Sequence, residues 1–346
     1  MSTSACGLPV LDVIAETADA CSIVLGVPEE LCGRFTYRPG QFLTVRIPGG
    51  EGAGVARCYS LSSAPGTDPT LKITVKRVEG GHGSNWLCDY VRPGHTLEVL
   101  PPSGRFTPDS LAADLLLFAA GSGITPVISI VKALLAESGG SAVLFYANRD
   151  EASVIFAGEL RELVASAPDR LQVVHLLESL QGLPTVTSLT SLAAPHAARD
   201  AAFICGPAPF MDAVSEALGS LGIGREKIIT ERFHSLSGDP FATVEEIPAE
   251  EFVAAESARL KVALNGDEHL LEWPTHISLL ALLRTRGLQP PFSCEEGFCG
   301  ACACRVLTGE AKMLCNDVLE EEDLEEGLIL SCQALPISAE VEVTFD

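Results

Sequence analysis

The stretch Cys294-Glu-Glu-Gly-Phe-Cys299-Gly-Ala-Cys302, followed by Cys332, decides how the C-terminal part of this 346-residue chain folds. Three cysteines spaced C-x4-C-x2-C and a distant fourth supply four thiolates, as the two irons of a [2Fe–2S] cluster require. Small residues between the cysteines leave room for a backbone that curls around such a cluster. The spacing therefore predicts an iron–sulfur centre, which carries one electron at a time.

A zinc site or a chance run of buried cysteines is the alternative for this stretch. Zinc sites favour paired C-x2-C units that lie far apart, whereas only one such unit is present here. Cys304 adds an ambiguity because Cys299-x4-Cys304 repeats part of the spacing. The remaining cysteines show no disulfide framework; they are Cys6, Cys21, Cys32, Cys58, Cys88, Cys205 and Cys315. A chain of this length does not need disulfides, so we expect a reducing cytoplasm as its location.

The composition is that of a globular protein with a strongly acidic charge. With 47% hydrophobic residues the chain can fill several cores, and its length predicts two or three domains. The net charge of −23 argues against nucleic-acid binding, which needs a basic face, and disfavours an anionic membrane surface. From Ser257 onward, 6 Lys or Arg oppose 16 Asp or Glu, so this part alone carries −10. Such a charge suits a soluble protein or a basic partner.

Neither a targeting segment nor a membrane span is predicted. The first residues are acidic and alternate in polarity, unlike the basic and then apolar start of a signal peptide. The apolar stretch 115–136 imitates a span, but Gly121-Ser-Gly-Ile-Thr-Pro126 interrupts it. A buried strand, a glycine loop and a helix fit this stretch better.

Residues 1–108 contain short β-like runs separated by Gly and Pro, which predicts a small closed β-barrel. The predicted strands cover 10–15, 21–27, 42–47, 58–61, 71–78 and 95–100, and a helix covers 84–91. Arg57-Cys-Tyr59-Ser60 ends one of these strands. A guanidinium that binds phosphate, a phenol ring and a small hydroxyl together suit a flavin.

A second motif, Lys76-Arg-Val-Glu-Gly-Gly81-His-Gly83-Ser84, combines glycines with a helix start. Backbone N–H groups at a helix N-terminus form a phosphate site. Each motif alone is weak, because an Arg is more often a surface ion-pair partner and a glycine pair is more often a turn. Both on one barrel predict a flavin-binding domain.

Residues 109–235 alternate strands and helices, which predicts a parallel α/β sheet that binds a nucleotide. The predicted strands are 115–120, 142–146, 171–176 and 202–205, and the helices are 126–137, 156–165 and 210–221. Gly121-Ser-Gly123-Ile-Thr125-Pro126 joins the first strand to the first helix, although it lacks the third glycine of the dinucleotide fingerprint. Cys205-Gly206-Pro207 ends a later strand, where ligands bind, although core packing is the commonest fate of a cysteine.

The acidic segment 236–258 contains no basic residue and is predicted to be a linker. Residues 259–346 are predicted to form an α+β domain, a small mixed sheet of the β-grasp type crossed by one helix at 279–285. The acidic run from Glu320 to Glu326 is typical of a solvated face, and docking is the minority interpretation.

With these motifs in this order, the chain resembles the ferredoxin–NAD(P)+ reductase superfamily over essentially its whole length. Within it, the chain is similar to three-domain reductases with a C-terminal plant-type [2Fe–2S] ferredoxin, and most of all to the reductase components of 3-ketosteroid 9α-monooxygenases. The segments behind this last resemblance include Tyr146-Ala-Asn-Arg-Asp and Leu236-Ser-Gly-Asp-Pro-Phe-Ala. The reductase subunits of phenylacetyl-CoA epoxidases are similar in the same way.

The resemblance implies that NADH delivers a hydride to FAD and that single electrons then pass to the cluster and to a terminal oxygenase, of the Rieske type in the steroid case. It implies catalytic roles for Ser60, Cys205 and Glu231, and the long gap to Cys332 together with the family pattern favours Cys302 over Cys304 as a ligand. The implied cofactor-binding residues are Arg57, Tyr59, Ser60, Val75, Lys76, Gly81, Gly83, Ser84, Gly121, Gly123, Thr125, Pro126, Cys205, Gly206, Pro207 and Phe233. The implied cluster ligands are Cys294, Cys299, Cys302 and Cys332.

Some alternatives remain at this point. FMN replaces FAD in related reductases, and Arg149 suits the 2′-phosphate of NADPH, although the resemblance favours NADH. A redox sensor and a flavin oxidoreductase with a vestigial ferredoxin domain are alternatives to an electron-transfer enzyme. The flavin and nucleotide motifs argue against the sensor, which needs no hydride donor.

Overall fold

The computed structural model describes residues 5–49, 54–242, 256–319 and 321–345. The described residues form three larger sheets, which follow one another along the chain as the sequence predicts. The first is antiparallel, the second is parallel and the third is mixed. The multidomain fold class is therefore confirmed.

The first sheet is a closed six-stranded barrel with strand order β4-β3-β6-β1-β2-β5. An antiparallel bridge between Leu61 and Ile73 joins its two outer strands, so the barrel has no free edge. One helix and one 3-10 turn (Glu29–Phe35) accompany the strands. The elements are β1 (Cys6–Thr17), β2 (Ala20–Leu25), β3 (Phe42–Ile47), β4 (Val55–Ser60), β5 (Leu71–Lys76), α1 (His82–Tyr90) and β6 (Thr96–Val99).

The second sheet has five parallel strands in the order β11-β10-β7-β8-β9 and buries both of its faces. Successive residues of β7 point to opposite cores, which explains why this strand is almost wholly apolar. The apolar stretch 115–136 is a strand, a 3-10 turn (Gly121–Gly123) and a helix, as predicted. The strands are β7 (Asp114–Ala120), β8 (Ser141–Asn148), β9 (Leu171–Leu177), β10 (Ala201–Cys205) and β11 (Ile228–Glu231). The helices are α2 (Ile124–Ala136), α3 (Ala157–Ser166), α4 (Glu178–Gln181), α5 (Val186–Ala193) and α6 (Ala208–Ser220).

The third sheet is mixed, with the order β13-β12-β18-β14-β16, and a small two-stranded sheet lies beside it. Helix α7 packs its leucines on the large sheet around the fully buried Trp273, whose indole N–H donates to the carbonyl oxygen of Ile277. The elements are β12 (Ser257–Leu264), β13 (Asp267–Pro274), α7 (Leu279–Thr285), β14 (Ala303–Thr308), β15 (Ala311–Met313), α8 (Glu321–Glu325), β16 (Leu328–Leu330), β17 (Ala334–Pro336) and β18 (Glu340–Thr344).

The three domains meet at the barrel. The first part of the predicted linker is packed against the domains, because Leu236 and Phe241 are buried in one core with Phe42 of the barrel and Phe292 of the third domain. The rest of that linker, residues 243–255, lies outside the described residues, as do the first four residues of the chain. Among the described helices, none has the length and apolar character that a membrane span requires.

Candidate active site

Ser60, Cys205 and Glu231 come together where the barrel meets the parallel sheet. The hydroxyl of Ser60, at the end of β4, donates to Oε2 of Glu231 over 3.2 Å. Glu231 ends β11 and lies beside Cys205, which ends the neighbouring strand β10. Residues up to 171 positions apart in sequence therefore share one pocket at the carboxyl edge of the sheet, where open α/β sheets bind their ligands.

The pocket keeps its ionisable groups neutral. Burial raises the pKa of Glu231 to about 8, and the hydrogen bond from Ser60 offsets only part of that rise. Burial also raises the pKa of the fully enclosed Cys205 thiol well above its ordinary value. A neutral thiol is neither a strong nucleophile nor a base, so Cys205 can contribute shape and polarity to the pocket but not acid–base chemistry.

Two glycines allow the backbone of the nucleotide loop to approach β10. A Cβ atom at Gly123 would collide with the carbonyl oxygen of Cys205. A Cβ atom at Gly206 would lie 2.9 Å from the Cβ of Ala120 and 3.1 Å from Phe210. The two loops that end β7 and β10 thus pack backbone to backbone at the carboxyl edge of the sheet, where open α/β sheets bind their ligands.

The barrel side of the site fits a flavin phosphate. Helix α1 starts at His82, and a Cβ at Gly83 would lie 3.0 Å from Cγ of Arg57 and 3.3 Å from the hydroxyl of Tyr59. Arg57 and Tyr59 therefore lie against the first turn of α1, where a helix N-terminus favours an anion, and Nη1 of Arg57 donates to the carbonyl oxygen of Leu236 over 3.1 Å. Lys76 reaches the other domain, since its Nζ would be 3.7 Å from a Cβ at Gly121.

Other predicted residues contribute less directly. Val75 is fully buried in the barrel core, so only its backbone can face a ligand. Phe233 is 48% exposed and lines the cavity between the domains. Pro126 is buried in α2, whereas Pro207 is exposed just before α6. Thr125 donates to the carbonyl oxygen of Ser122 over 2.9 Å and so shapes the nucleotide loop.

Asn148, at the carboxyl end of β8, is a candidate site residue that the sequence interpretation did not include. It is 8% exposed, and apart from an interaction with the hydroxyl of Tyr146 its side-chain amide atoms have no hydrogen-bond partner among the described residues. Buried amide groups without partners are costly, which is the state expected of a side chain that bonds a ligand. Its position two strands from Cys205 at the same sheet edge fits the nicotinamide nucleotide.

The four predicted cluster cysteines are buried on one loop and the strand end beside it. Backbone N–H groups point at the sulfurs, with Glu296 N donating to Cys294 Sγ over 3.3 Å and Ala301 N donating to Cys299 Sγ over 3.4 Å. The hydrogen bond with the Cys299 thiol and the backbone N–H groups of Glu296, Phe298 and Cys299 lower the pKa of Cys294 to about 6. The same pairing raises the pKa of Cys299, and in the second pair the pKa of Cys302 is lowered while that of Cys332 is raised, so one sulfur of each pair is closer to the thiolate form that binds iron.

The cysteines form two pairs, which suits two irons. Hydrogen bonds between thiols link Cys294 to Cys299 and Cys302 to Cys332. Within the described residues no three His, Cys, Asp or Glu side chains are grouped closely enough to hold a single metal ion. Cys304 points into the core of the third domain, whereas the four others lie in the core shared with the barrel.

A buried hydroxyl pair joins the barrel to the cysteine loop. Thr44 Oγ1 and Ser293 Oγ are 2.6 Å apart, and Thr44 Oγ1 is also 3.4 Å from the sulfur of Cys58. Ser293 precedes Cys294, and Cys58 belongs to the Arg57–Ser60 motif. A cavity of about 1170 Å³ runs alongside and is lined by Ser60, Glu231 and Cys299 among others. The predicted flavin and cluster sites are therefore neighbours.

Comparisons with known proteins agree with this arrangement. An oxidoreductase FAD-binding domain family matches residues 9–107, an oxidoreductase NAD-binding domain family matches 117–216, and a 2Fe-2S iron-sulfur cluster binding domain family matches 262–336. These matches confirm FAD, NADH and a [2Fe–2S] cluster as the cofactors. They also fit the pocket, the phosphate site and the paired thiols.

Relatives match over almost the whole chain. The ferredoxin reductase component of the 3-ketosteroid-9-alpha-monooxygenase of Rhodococcus rhodochrous is 54% identical over 338 residues, which is 98% of this chain and 96% of the relative. One component of the 1,2-phenylacetyl-CoA epoxidase of Escherichia coli is 34% identical over 357 residues, which is 98% of this chain and 97% of the relative. The solved phthalate dioxygenase reductase is 25% identical, with a TM-score of 0.57 over 99% of this chain and 100% of that chain. This chain therefore belongs to the family of three-domain FAD, NAD and [2Fe–2S] oxidoreductases that includes the ferredoxin reductase components of 3-ketosteroid-9-alpha-monooxygenases.

Proposed function

We propose that this protein is the NADH-dependent reductase component of a 3-ketosteroid 9α-monooxygenase and supplies single electrons to a separate terminal oxygenase of the Rieske type. The single observation that carries the proposal is 54% identity over 98% of the chain to a reductase component of that name. The three neighbouring sites support it, because they provide a hydride entry, a place for a flavin and an electron exit. The alternative partner is a phenylacetyl-CoA epoxidase, on the weaker 34% identity.

When bound, FAD takes a hydride from NADH and returns two electrons one at a time, and the [2Fe–2S] cluster carries single electrons. The protein's part is to bind, orient and shield. Arg57 and the first turn of α1 would hold the flavin phosphates, and Tyr59 would pack against the ring. The hydrogen-bonded pair of Ser60 and Glu231 would position the reacting atoms of the flavin and the nicotinamide. Cys205 would shape the part of the pocket that holds the nicotinamide.

Cys294, Cys299, Cys302 and Cys332 would hold the cluster with their four thiolates. The glycine loop between β7 and α2 and the amide of Asn148 would hold the nicotinamide nucleotide. A reducing cytoplasm is the proposed location, in keeping with the twelve cysteines, none of which forms a disulfide among the described residues.

Reconstitution tests the proposal. The purified reductase is combined with NADH and the oxygenase component of a 3-ketosteroid 9α-monooxygenase, and 9α-hydroxylated steroid is measured against NADH consumed. We expect tight coupling with this oxygenase and little with a phenylacetyl-CoA epoxidase. Efficient coupling to the epoxidase alone would reverse the assignment of the partner.

The same assay examines docking. If the acidic third domain binds a basic surface of the oxygenase, coupled product formation weakens as ionic strength rises, because salt screens exposed charges. Rates that stay flat from low to high salt would contradict electrostatic docking.

A further inference from the structure

Two cysteines outside the electron-transfer site lie side by side under helix α1. The sulfurs of Cys21, in β2, and Cys88, in α1, are 3.4 Å apart, and the Cys21 thiol donates to the Cys88 sulfur. Neither residue takes part in the proposed hydride or electron transfer. Their proximity joins an element of the barrel wall to the helix whose first turn faces the flavin phosphates.

The two thiols have unequal surroundings. Cys21 is buried at 9% exposure, while Cys88 is only half-buried and can meet a small solute. The thiol of Cys21 lowers the pKa of Cys88, and the neighbouring Arg77 lowers it further. Arg77 is held beside Cys88 by hydrogen bonds to Asn85 at 3.4 Å and Asp89 at 2.7 Å. Cys88 therefore has the features of an attacking thiol, and Cys21 has those of a resolving one.

We propose that Cys21 and Cys88 form a reversible dithiol–disulfide site that responds to peroxide. The Cys88 thiolate attacks a peroxide oxygen, the O–O bond breaks, and one water leaves as the sulfur becomes a sulfenic acid. The Cys21 sulfur then attacks Cys88, the S–O bond breaks, and a second water leaves. The pair loses two electrons and two protons, peroxide is reduced to two waters, and a dithiol reductant reverses the reaction.

A disulfide here would tie α1 to the barrel. Gly83, in the first turn of the helix, packs against Arg57 and Tyr59, so the same helix carries both the cross-link and the flavin phosphate site. The disulfide would restrain local opening of α1, which is the motion that exposes the backbone amides of this helix to exchange with solvent. The inference does not depend on which oxygenase receives the electrons.

Peptide mapping tests the site directly. The FAD-loaded protein with its cluster is treated with hydrogen peroxide, alkylated and cut after Glu. Cleavage after Glu16 and Glu29 gives fragment 17–29, in which Cys21 is the only cysteine, and cleavage after Glu79 and Glu98 gives fragment 80–98, in which Cys88 is the only cysteine. We expect the two fragments to be joined for most of the Cys88 present, and to separate after dithiothreitol.

Variants and amide exchange complete the test. Cys88→Ser and Cys21→Ser should abolish the joined fragment, while Cys32→Ser, which changes an exposed thiol elsewhere on the barrel, should keep it. Hydrogen exchange of residues 82–90 should slow several-fold in oxidised protein. Peroxide that leaves both thiols open to alkylation, or that drives Cys88 to sulfinic acid with Cys21 still free, would overturn the site. Unchanged exchange in linked protein would overturn the restraint on α1.

Discussion

The barrel and the nucleotide domain share a buried lysine between two carboxylates, whereas the barrel and the third domain share a buried apolar core with a hydroxyl pair, and their ion pair, Arg105 with Asp323, lies at the surface. At the first junction Lys132 of α2, with a side chain only 4% exposed, lies 2.7 Å from Asp68 and 3.1 Å from Glu159. Beside it, Ser129 donates to the carbonyl oxygen of Ser63 over 2.6 Å. These directional contacts fix the angle between the two domains.

At the second junction Phe42, Leu236 and Phe292 share one apolar core, and Thr44 bonds Ser293 within it. The difference follows from what each junction transmits. Hydride transfer needs reacting atoms about 3–3.5 Å apart and aligned, so small rotations of one domain matter. An electron crosses without atomic contact, so an apolar junction that excludes water and keeps two centres close is sufficient.

Replacing one cluster cysteine should have the largest effect, because it should stop electron transfer through the third domain and leave hydride transfer at the first junction intact. In Cys299→Ser the third domain loses a thiolate, so cytochrome c reduction by NADH should fall about a hundredfold or more while ferricyanide reduction at the flavin is largely kept. Cys304→Ser is the matched control, since that thiol lies in the other core and should leave both activities intact. Loss of the cluster signal in Cys304→Ser instead would show that the ligand assignment is wrong.

Removing Lys132 should damage the charged junction. In Lys132→Met, Asp68 and Glu159 face each other without their shared cation. We expect a loss of about 2 kcal/mol in unfolding free energy, below the range for fully buried pairs because both carboxylates are partly exposed. Flavin reduction by NADH should slow in the same variant, measured by stopped flow.

Lys261→Met is the matched control for that experiment. Lys261 also lies between two carboxylates, Glu268 and Glu342, but on the solvent side of the third domain. Its denaturation midpoint and flavin reduction rate should stay at the wild-type values. Equal effects of the two substitutions would mean that the junction with the nucleotide domain does not depend on its charges.

The pH dependence of flavin reduction by NADH should report the ionisation of the Glu231 carboxyl group. With a pKa of about 8, the carboxyl is neutral below that pH and ionised above it. Hydride transfer brings negative charge into the pocket, so the rate of flavin reduction should fall, by about tenfold, as pH rises through 8. Glu231→Gln keeps the neutral shape and should give a profile without this step. An unchanged step in Glu231→Gln would assign the ionisation to another group.

The sequence predicted the parts with local signatures well. The cysteine spacing, the two glycine loops and the alternation of strands with helices each depend on residues close together in the chain, and the structure confirms the fold class they indicate. Glu231 was found only through the family resemblance, because its meaning comes from Ser60, 171 residues earlier.

Other features carry no local signal at all. Helix α5 (Val186–Ala193) is short and follows a loop, so its hydrophobic pattern covers too few residues to be recognised in the sequence. Thr44 and Asn148 look like ordinary strand residues, and the Cys21–Cys88 pair is invisible until β2 and α1 pack together. Segment 236–258 was predicted to be a linker, and its acidic composition gives no sign that Leu236 and Phe241 are core residues of a junction.

Thr44→Val is expected to have the smallest effect and tests the apolar junction most finely. Valine keeps the shape of threonine but leaves the buried hydroxyl of Ser293 without its partner at 2.6 Å, a loss of about 1–3 kcal/mol. Part of this loss falls on the contact between the barrel and the cysteine loop, so electron transfer to cytochrome c should slow a few-fold while flavin reduction by NADH keeps its rate. Thr74→Val is the matched control, because Thr74 is equally buried but bonds Ser22 and Ser62 inside the barrel. If Thr44→Val slowed flavin reduction as well, the two junctions would not be independent, and the division between a directional hydride side and a tolerant electron side would fail.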